Sequence, residues 1–137
     1  IALAVIGGFL FLAPKAPEVA YGPVDIAGST LSAFASNESE VAVAGNILQP
    51  GFVTIHESVG SAPGPIIGTS PILSVGEATA DVIRLTVPMS AGLTYIALLH
   101  VDNGDGIFVT ADDMPVTSNG VSVRSDFMLS VSDTPQE

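Results

Sequence analysis

From Val41 onward, apolar and polar positions alternate with a period of two, in short runs broken by Gly, Pro and Asn. Side chains of a strand point to opposite faces in turn, so this pattern predicts half-buried strands. Val24 to Phe34 reads as a first strand anchored by Ile26 and Leu31. Val41-Ala-Val-Ala-Gly-Asn-Ile-Leu48 alternates and meets the turn Gln49-Pro50-Gly51, after which Phe52-Val-Thr-Ile-His-Glu57 predicts the second arm of a hairpin. Ser58 to Pro65 is expected to be a loop, and Ile66 to Leu73 a short edge strand stopped by Pro71. Between Ala80 and Val87, Val82, Arg84 and Thr86 share one face, and Ile83, Leu85 and Val87 the other. Leu93 to Val101 is apolar at almost every position, as in a strand covered on both faces, and is placed at the centre of a sheet. The last run sets Val121, Val123, Phe127, Leu129 and Val131 against Ser122, Arg124, Asp126, Ser130 and Ser132.

Seven or eight short strands separated by turn signals predict an all-β fold, an immunoglobulin-like two-sheet β-sandwich. The expected division is an apolar segment over 1–13, a Pro-rich linker over 14–23, the sandwich over 24–132 and a polar tail over 133–137.

The leading segment, IALAVIGGFLFLA, breaks the alternation altogether: it carries no charge and no side-chain hydrogen-bonding group. Apolar surface of that extent is stabilised only against lipid or protein, at about 25 cal/mol per Å² buried. A secretory signal would have this kind of apolar stretch followed by small residues, here Ala16, Ala20 and Gly22, but no Met and no basic stretch precede Ile1. As a helix, thirteen residues would span about 20 Å, short of the ~30 Å hydrocarbon core, so a membrane anchor would need more chain upstream. Burial among identical subunits is the third destination and the one favoured here. The contact residues would be Ile1, Leu3, Val5, Ile6, Phe9, Leu10, Phe11 and Leu12.

Charge narrows the partners. Fourteen acidic residues face three basic ones (Lys15, Arg84 and Arg124), for a net charge of −11. A nucleic-acid partner requires a basic face and is excluded, and an anionic membrane surface is disfavoured. With no cysteine, disulfides and thiolate-held metals are also excluded. Asn37-Glu38-Ser39 is an acceptor sequon for glycosylation at Asn37 in an exterior loop.

Chemistry concentrates in one stretch, Val101-Asp-Asn-Gly-Asp-Gly-Ile-Phe-Val-Thr-Ala-Asp-Asp-Met-Pro115. Asp102, Asn103, Asp105, Asp112 and Asp113 supply hard oxygen donors, and Gly104 and Gly106 allow the turn that converges them, the logic of a calcium loop. Set on the EF-hand or dockerin pattern, Asn103, Asp105, Gly106 and Asp112 match, but Val101 stands where the first Asp belongs and the bidentate Glu is missing. The competing reading is a hairpin turn with solvated carboxylates. Calcium is the one cofactor suggested. His56 and His100, the two histidines, lack the third ligand of a zinc or copper site and read as strand-end residues bonded to carboxylates. Ser58 or Ser70 with His56 and Asp113 could name a hydrolytic triad, but no nucleophile elbow accompanies them, and no catalytic residue is assigned.

Three blocks carry a family resemblance: Gln49-Pro50-Gly51-Phe52-Val53-Thr54-Ile55-His56-Glu57, Ile66-Ile67-Gly68-Thr69-Ser70-Pro71-Ile72-Leu73, and Tyr95-Ile96-Ala97-Leu98-Leu99-His100-Val101-Asp102 running into Asn103-Gly104-Asp105-Gly106 and Asp113-Met114-Pro115-Val116. From about Val41 to Val131 the chain resembles a domain family of unknown function found in secreted and surface-anchored proteins, mainly of halophilic archaea. The resemblance implies an extracellular β-sandwich and brings no activity with it. Together these readings lead to an expected non-enzymatic, pilus-like filament subunit outside the cell. It would be a homopolymer joined through residues 1–13, meeting membrane only before assembly. The alternatives are a membrane-anchored surface domain and a calcium-dependent adhesion module.

Overall fold

Two apolar runs, Gly51–Val59 and Thr94–Val101, pair side by side and form the middle of the domain. A computed structural model describes residues 22–130. In chain order the strands are β1 Val24–Asp25, β2 Ser32–Asn37, β3 Glu40–Ile47, β4 Gly51–Val59, β5 Ala62–Thr69, β6 Gly76–Arg84, β7 Thr94–Val101, β8 Val116–Ser118, β9 Val121–Ser122 and β10 Arg124–Met128. No helix occurs among the described residues. One sheet has the order β10-β7-β4-β5, a second β2-β3-β6, and a small third β9-β8-β1.

The period-two pattern explains how the two larger sheets face each other. Val41, Val43, Ile47, Ala80 and Ile83 turn inward from β3 and β6, against Val53, Ile55, Ala97, Leu99 and Phe127 from β4, β7 and β10. The chain crosses between the sheets after β3, β5 and β6, which makes an immunoglobulin-like β-sandwich. Its sides are stitched by hydrogen bonds that pass from sheet to sheet. The Ala33 N–H donates to the Ser125 hydroxyl at 3.1 Å, and the Thr86 N–H to the Ile67 carbonyl at 2.8 Å.

Tyr95, one residue into β7, buries its ring beside Phe127 and accepts the Ser90 N–H on its hydroxyl at 2.8 Å. This is the tyrosine corner of immunoglobulin-like sandwiches, which fixes the entry into the central strand. Tyr95→Phe keeps the ring and orphans the Ser90 N–H. The expected loss is about 1–2 kcal/mol in urea unfolding, and an unchanged midpoint would mean water replaces the hydroxyl.

β7 lies at the centre of its sheet, as its unbroken apolar run predicts, and β5 is an edge. Other expectations are corrected. β3 and β4 do not form a hairpin: Leu48–Pro50 carries the chain from one sheet to the other. A turn after an alternating run looks the same in sequence whichever sheet receives the next strand. Nor is 58–65 a loop. β4 runs to Val59 and β5 starts at Ala62, joined by Gly60 and Ser61 at φ 58° and 72°, the doubly left-handed turn that suits a tight hairpin. The strand expected over 24–34 is split by a turn at Ala27-Gly28 into β1 and the start of β2. Of the last run, Val123 and Phe127 are buried, but Val121 is exposed on the small sheet, and Val131 and Ser132 lie outside the described residues.

Candidate metal centre and a buried histidine pair

Gly51 opens β4 where a Cβ would lie 2.2 Å from the His100 carbonyl oxygen, so only glycine lets β4 and β7 approach this closely. Just beyond, at the end of β7, the chain turns out through residues 102–115. Three of the four carboxylates there close local backbone loops. Asp102 accepts the Gly106 N–H at 3.1 Å, and Asp105 the Ile107 N–H at 2.9 Å. Asp113, fully buried, accepts the Asn103 N–H on Oδ1 at 2.9 Å and the Val109 N–H on Oδ2 at 2.6 Å. Gly104 and Gly106, at φ 111° and 75°, supply the left-handed backbone that brings these bonds about.

The outcome is that Asp102, Asp105 and Asp113 each offer a carboxylate oxygen within 4.8 Å of the other two. Asp113 is buried, Asp102 half-buried and Asp105 exposed, so the group opens toward solvent on one side. Three like charges this close repel one another, and a cation shared between them removes that cost. The donors are hard oxygens with lone pairs left over after the backbone bonds, so the group could hold a metal ion. Of the other two residues predicted for this site, Asp112 is exposed and outside the trio, and the Asn103 side chain is spent on the Asp105 N–H at 3.4 Å.

Behind the loop sits a feature that the sequence reading missed. Phe52, Thr54 and His56 of β4 and Ile96, Leu98 and His100 of β7 share the face turned away from the main core, and all six are buried. Phe108 of the loop helps to cover them, 5.6 Å from the Phe52 ring and 5.2 Å from the His100 ring, both edge-on. Thr54 Oγ1 lies 2.7 Å from His56 Nε2 and 3.0 Å from His100 Nε2. The opposite nitrogen of each ring meets a carbonyl, His56 Nδ1 that of Gly64 at 2.8 Å and His100 Nδ1 that of Asp113 at 2.8 Å. Carbonyls only accept, so each neutral ring carries its hydrogen on Nδ1 and turns the Nε2 lone pair toward Thr54. The hydroxyl, with a single hydrogen, serves one ring at a time. Burial pushes both histidines below 6.5, and the facing His56 pushes His100 further down. Their partners are thus a hydroxyl and two carbonyls, not the carboxylates expected from sequence.

These bonds form one chain from the acidic loop to the β4–β5 hairpin: Asp113 carbonyl, His100, Thr54, His56, Gly64 carbonyl. They also engage both ring nitrogens of His56. Ser70, the other half of the triad that could be named, donates to the Pro71 carbonyl at 2.8 Å and accepts the Val53 N–H at 2.9 Å. Asn37 is exposed beside the turn between β2 and β3. Its Oδ1 accepts the Ser39 N–H at 2.8 Å and its Nδ2 donates to Glu40 at 3.1 Å. The predicted contact residues Ile1, Leu3, Val5, Ile6, Phe9, Leu10, Phe11 and Leu12 lie outside the described residues.

The family model for a domain of unknown function, DUF7282, matches residues 27–129. The chain belongs to that family. No curated protein and no solved structure matches the chain. The DUF7282 match begins ahead of Val41, so it takes in β2 as well as the three blocks that carry the resemblance in the sequence. It includes the aspartate trio, Thr54 and both histidines, and leaves the apolar leader and β1 outside.

Proposed function

We propose that this DUF7282 chain is a structural subunit of an extracellular, pilus-like filament, non-enzymatic, with the acidic sandwich on the outside and the segment Ile1–Ala13 joining one copy to the next. One observation carries this reading. The described domain closes its core with its own residues, and a further thirteen apolar residues need protein or lipid to cover them. That surface is best matched by other copies of the chain. The net charge of −11 keeps the outer domains soluble and apart, and the exposed Asn37 sequon fits a glycosylated exterior. Deleting residues 1–13 tests the reading. Polymers seen by negative-stain microscopy should disappear while the domain still melts cooperatively. Release of a monomer from membranes would instead identify the segment as an anchor.

Calcium is the cation proposed for Asp102, Asp105 and Asp113, because flexible all-oxygen donor sets suit it better than a transition metal. Calcium at ten times its dissociation constant should stabilise the domain by about 1.4 kcal/mol, and a chelator should remove the gain. Thermal melting with and without chelator checks this, and coincident curves would leave the carboxylates as a clasp for the loop alone.

A further inference from the structure

Glycine puts no side chain in the way of its own amide nitrogen, which can therefore attack the side-chain carbonyl carbon of a preceding Asn or Asp. The chain has three such steps: Asn103-Gly104 and Asp105-Gly106 in the acidic loop, and Asn119-Gly120 in the turn between β8 and β9. In two of them a carboxylate holds the glycine N–H. Gly106 donates to both oxygens of Asp102 at 3.1 Å, and Gly120 to Asp25 Oδ1 at 2.9 Å. Gly104 differs. Among the described residues none accepts its N–H, and nothing lies within 4 Å of where its Cβ would stand. Asn103 is exposed, and the bond from the Asp105 N–H to its Oδ1, at 3.4 Å, exceeds the usual limit of about 3.2 Å and is cheap to break.

We propose that Asn103 is a self-modification site, which deamidates through a cyclic imide while the fold protects Asn119. The Gly104 amide nitrogen gives its proton to hydroxide and attacks Asn103 Cγ. The new C–N bond closes a ring, and the carboxamide nitrogen leaves as ammonia. Water then opens the imide. Cleavage of the bond to Cγ restores the main chain with a side-chain carboxylate, and cleavage of the bond to the main-chain carbonyl carbon routes the backbone through the side chain. Nothing is oxidised or reduced, and the chemistry requires neither a filament nor a bound cation. Either product adds a carboxylate to the loop in which Asp102, Asp105 and Asp113 already lie together. At Gly120 the Asp25 carboxylate holds the N–H and disfavours the amide anion that must form there. Breaking that bond first slows the attack by about tenfold or more.

Peptide mapping by mass spectrometry, on the folded full chain aged at mildly alkaline pH in chelator, tests this. Asn103 should deamidate about tenfold faster than Asn119. In urea the two rates should converge, since a glycine follows each residue. An Asn103 that stays intact, equal rates in the folded chain, or a difference that persists in urea would each overturn the proposal. Asp25→Ala, at an exposed position, frees the Gly120 N–H. It should bring the Asn119 rate up to that of Asn103 and leave the Asn103 rate as it was, which also reports that the domain is still folded. An Asn119 rate that does not move in this variant would show that the carboxylate is no guard, and the selectivity claimed for Asn103 would fall with it.

Discussion

Asp113→Ala is expected to destabilise the domain by about 3 kcal/mol, more than any other single substitution considered for the acidic loop. The Asp113 carboxylate is fully buried and holds two backbone groups, the N–H of Asn103 and that of Val109. Removing it takes the acceptor from both donors, whose bonds to it are part-buried, at about 1–1.5 kcal/mol each. The loss would spread, because the Asp113 carbonyl also anchors His100, and Phe108 of the same loop covers the Phe52 and His100 rings. Asp113→Asn separates the roles: its amide oxygen keeps one acceptor, while its NH2 is set against an N–H donor. It should cost roughly half as much and abolish any calcium-dependent gain. Urea unfolding of the wild type and both variants, in chelator and in calcium, measures this. A loss below 1 kcal/mol for Asp113→Ala would show that the loop is not fastened through this side chain.

What could be read from sequence follows the range of the interactions involved. β7 was legible because a run apolar on both faces has few other destinations than the centre of a sheet. The Asp102–Asp113 stretch was legible because its bonds are local, between residues at most ten apart. Spacing alone could not say that Asp112 would point away while Asp113 turned inward. The link between β3 and β4 was misread because the choice of sheet is made by packing at a distance, to which Gln49-Pro50-Gly51 is indifferent. Ser61 defeated the reading for a different reason: it takes a left-handed φ that serine seldom adopts, so no glycine or asparagine marked that half of the turn. The histidine pair depends on the register that sets Thr54 opposite Leu98, which sequence does not fix. A signal was nonetheless present. Thr54, His56 and His100 are polar residues within otherwise apolar strands, and a buried polar side chain must find a partner.

That register underlies the second large effect. Thr54→Val is nearly isosteric and removes the one hydroxyl that both rings face, at 2.7 and 3.0 Å. The hydroxyl's single hydrogen then serves neither buried Nε2, and the expected cost of that one lost bond is about 2 kcal/mol. Acid should compound it in the wild type as well. Burial holds both histidines below 6.5 in the folded state, and the Asp113 and Gly64 carbonyls oppose that shift without reversing it. Above pH 6.5 neither the folded nor the unfolded chain protonates these rings appreciably, and the stability is fully present. Below it, the unfolded chain takes up protons that the folded one resists. Stability therefore falls with pH, by up to about 1.4 kcal/mol per pH unit for each proton withheld. Urea midpoints measured from pH 7.5 down to 5.0 should decline for the wild type. They should decline less for a variant with both histidines replaced by phenylalanine, whatever its absolute stability. Parallel slopes for the two proteins would mean that the rings protonate freely in place, and that the chain of bonds from Asp113 to Gly64 does not hold them neutral.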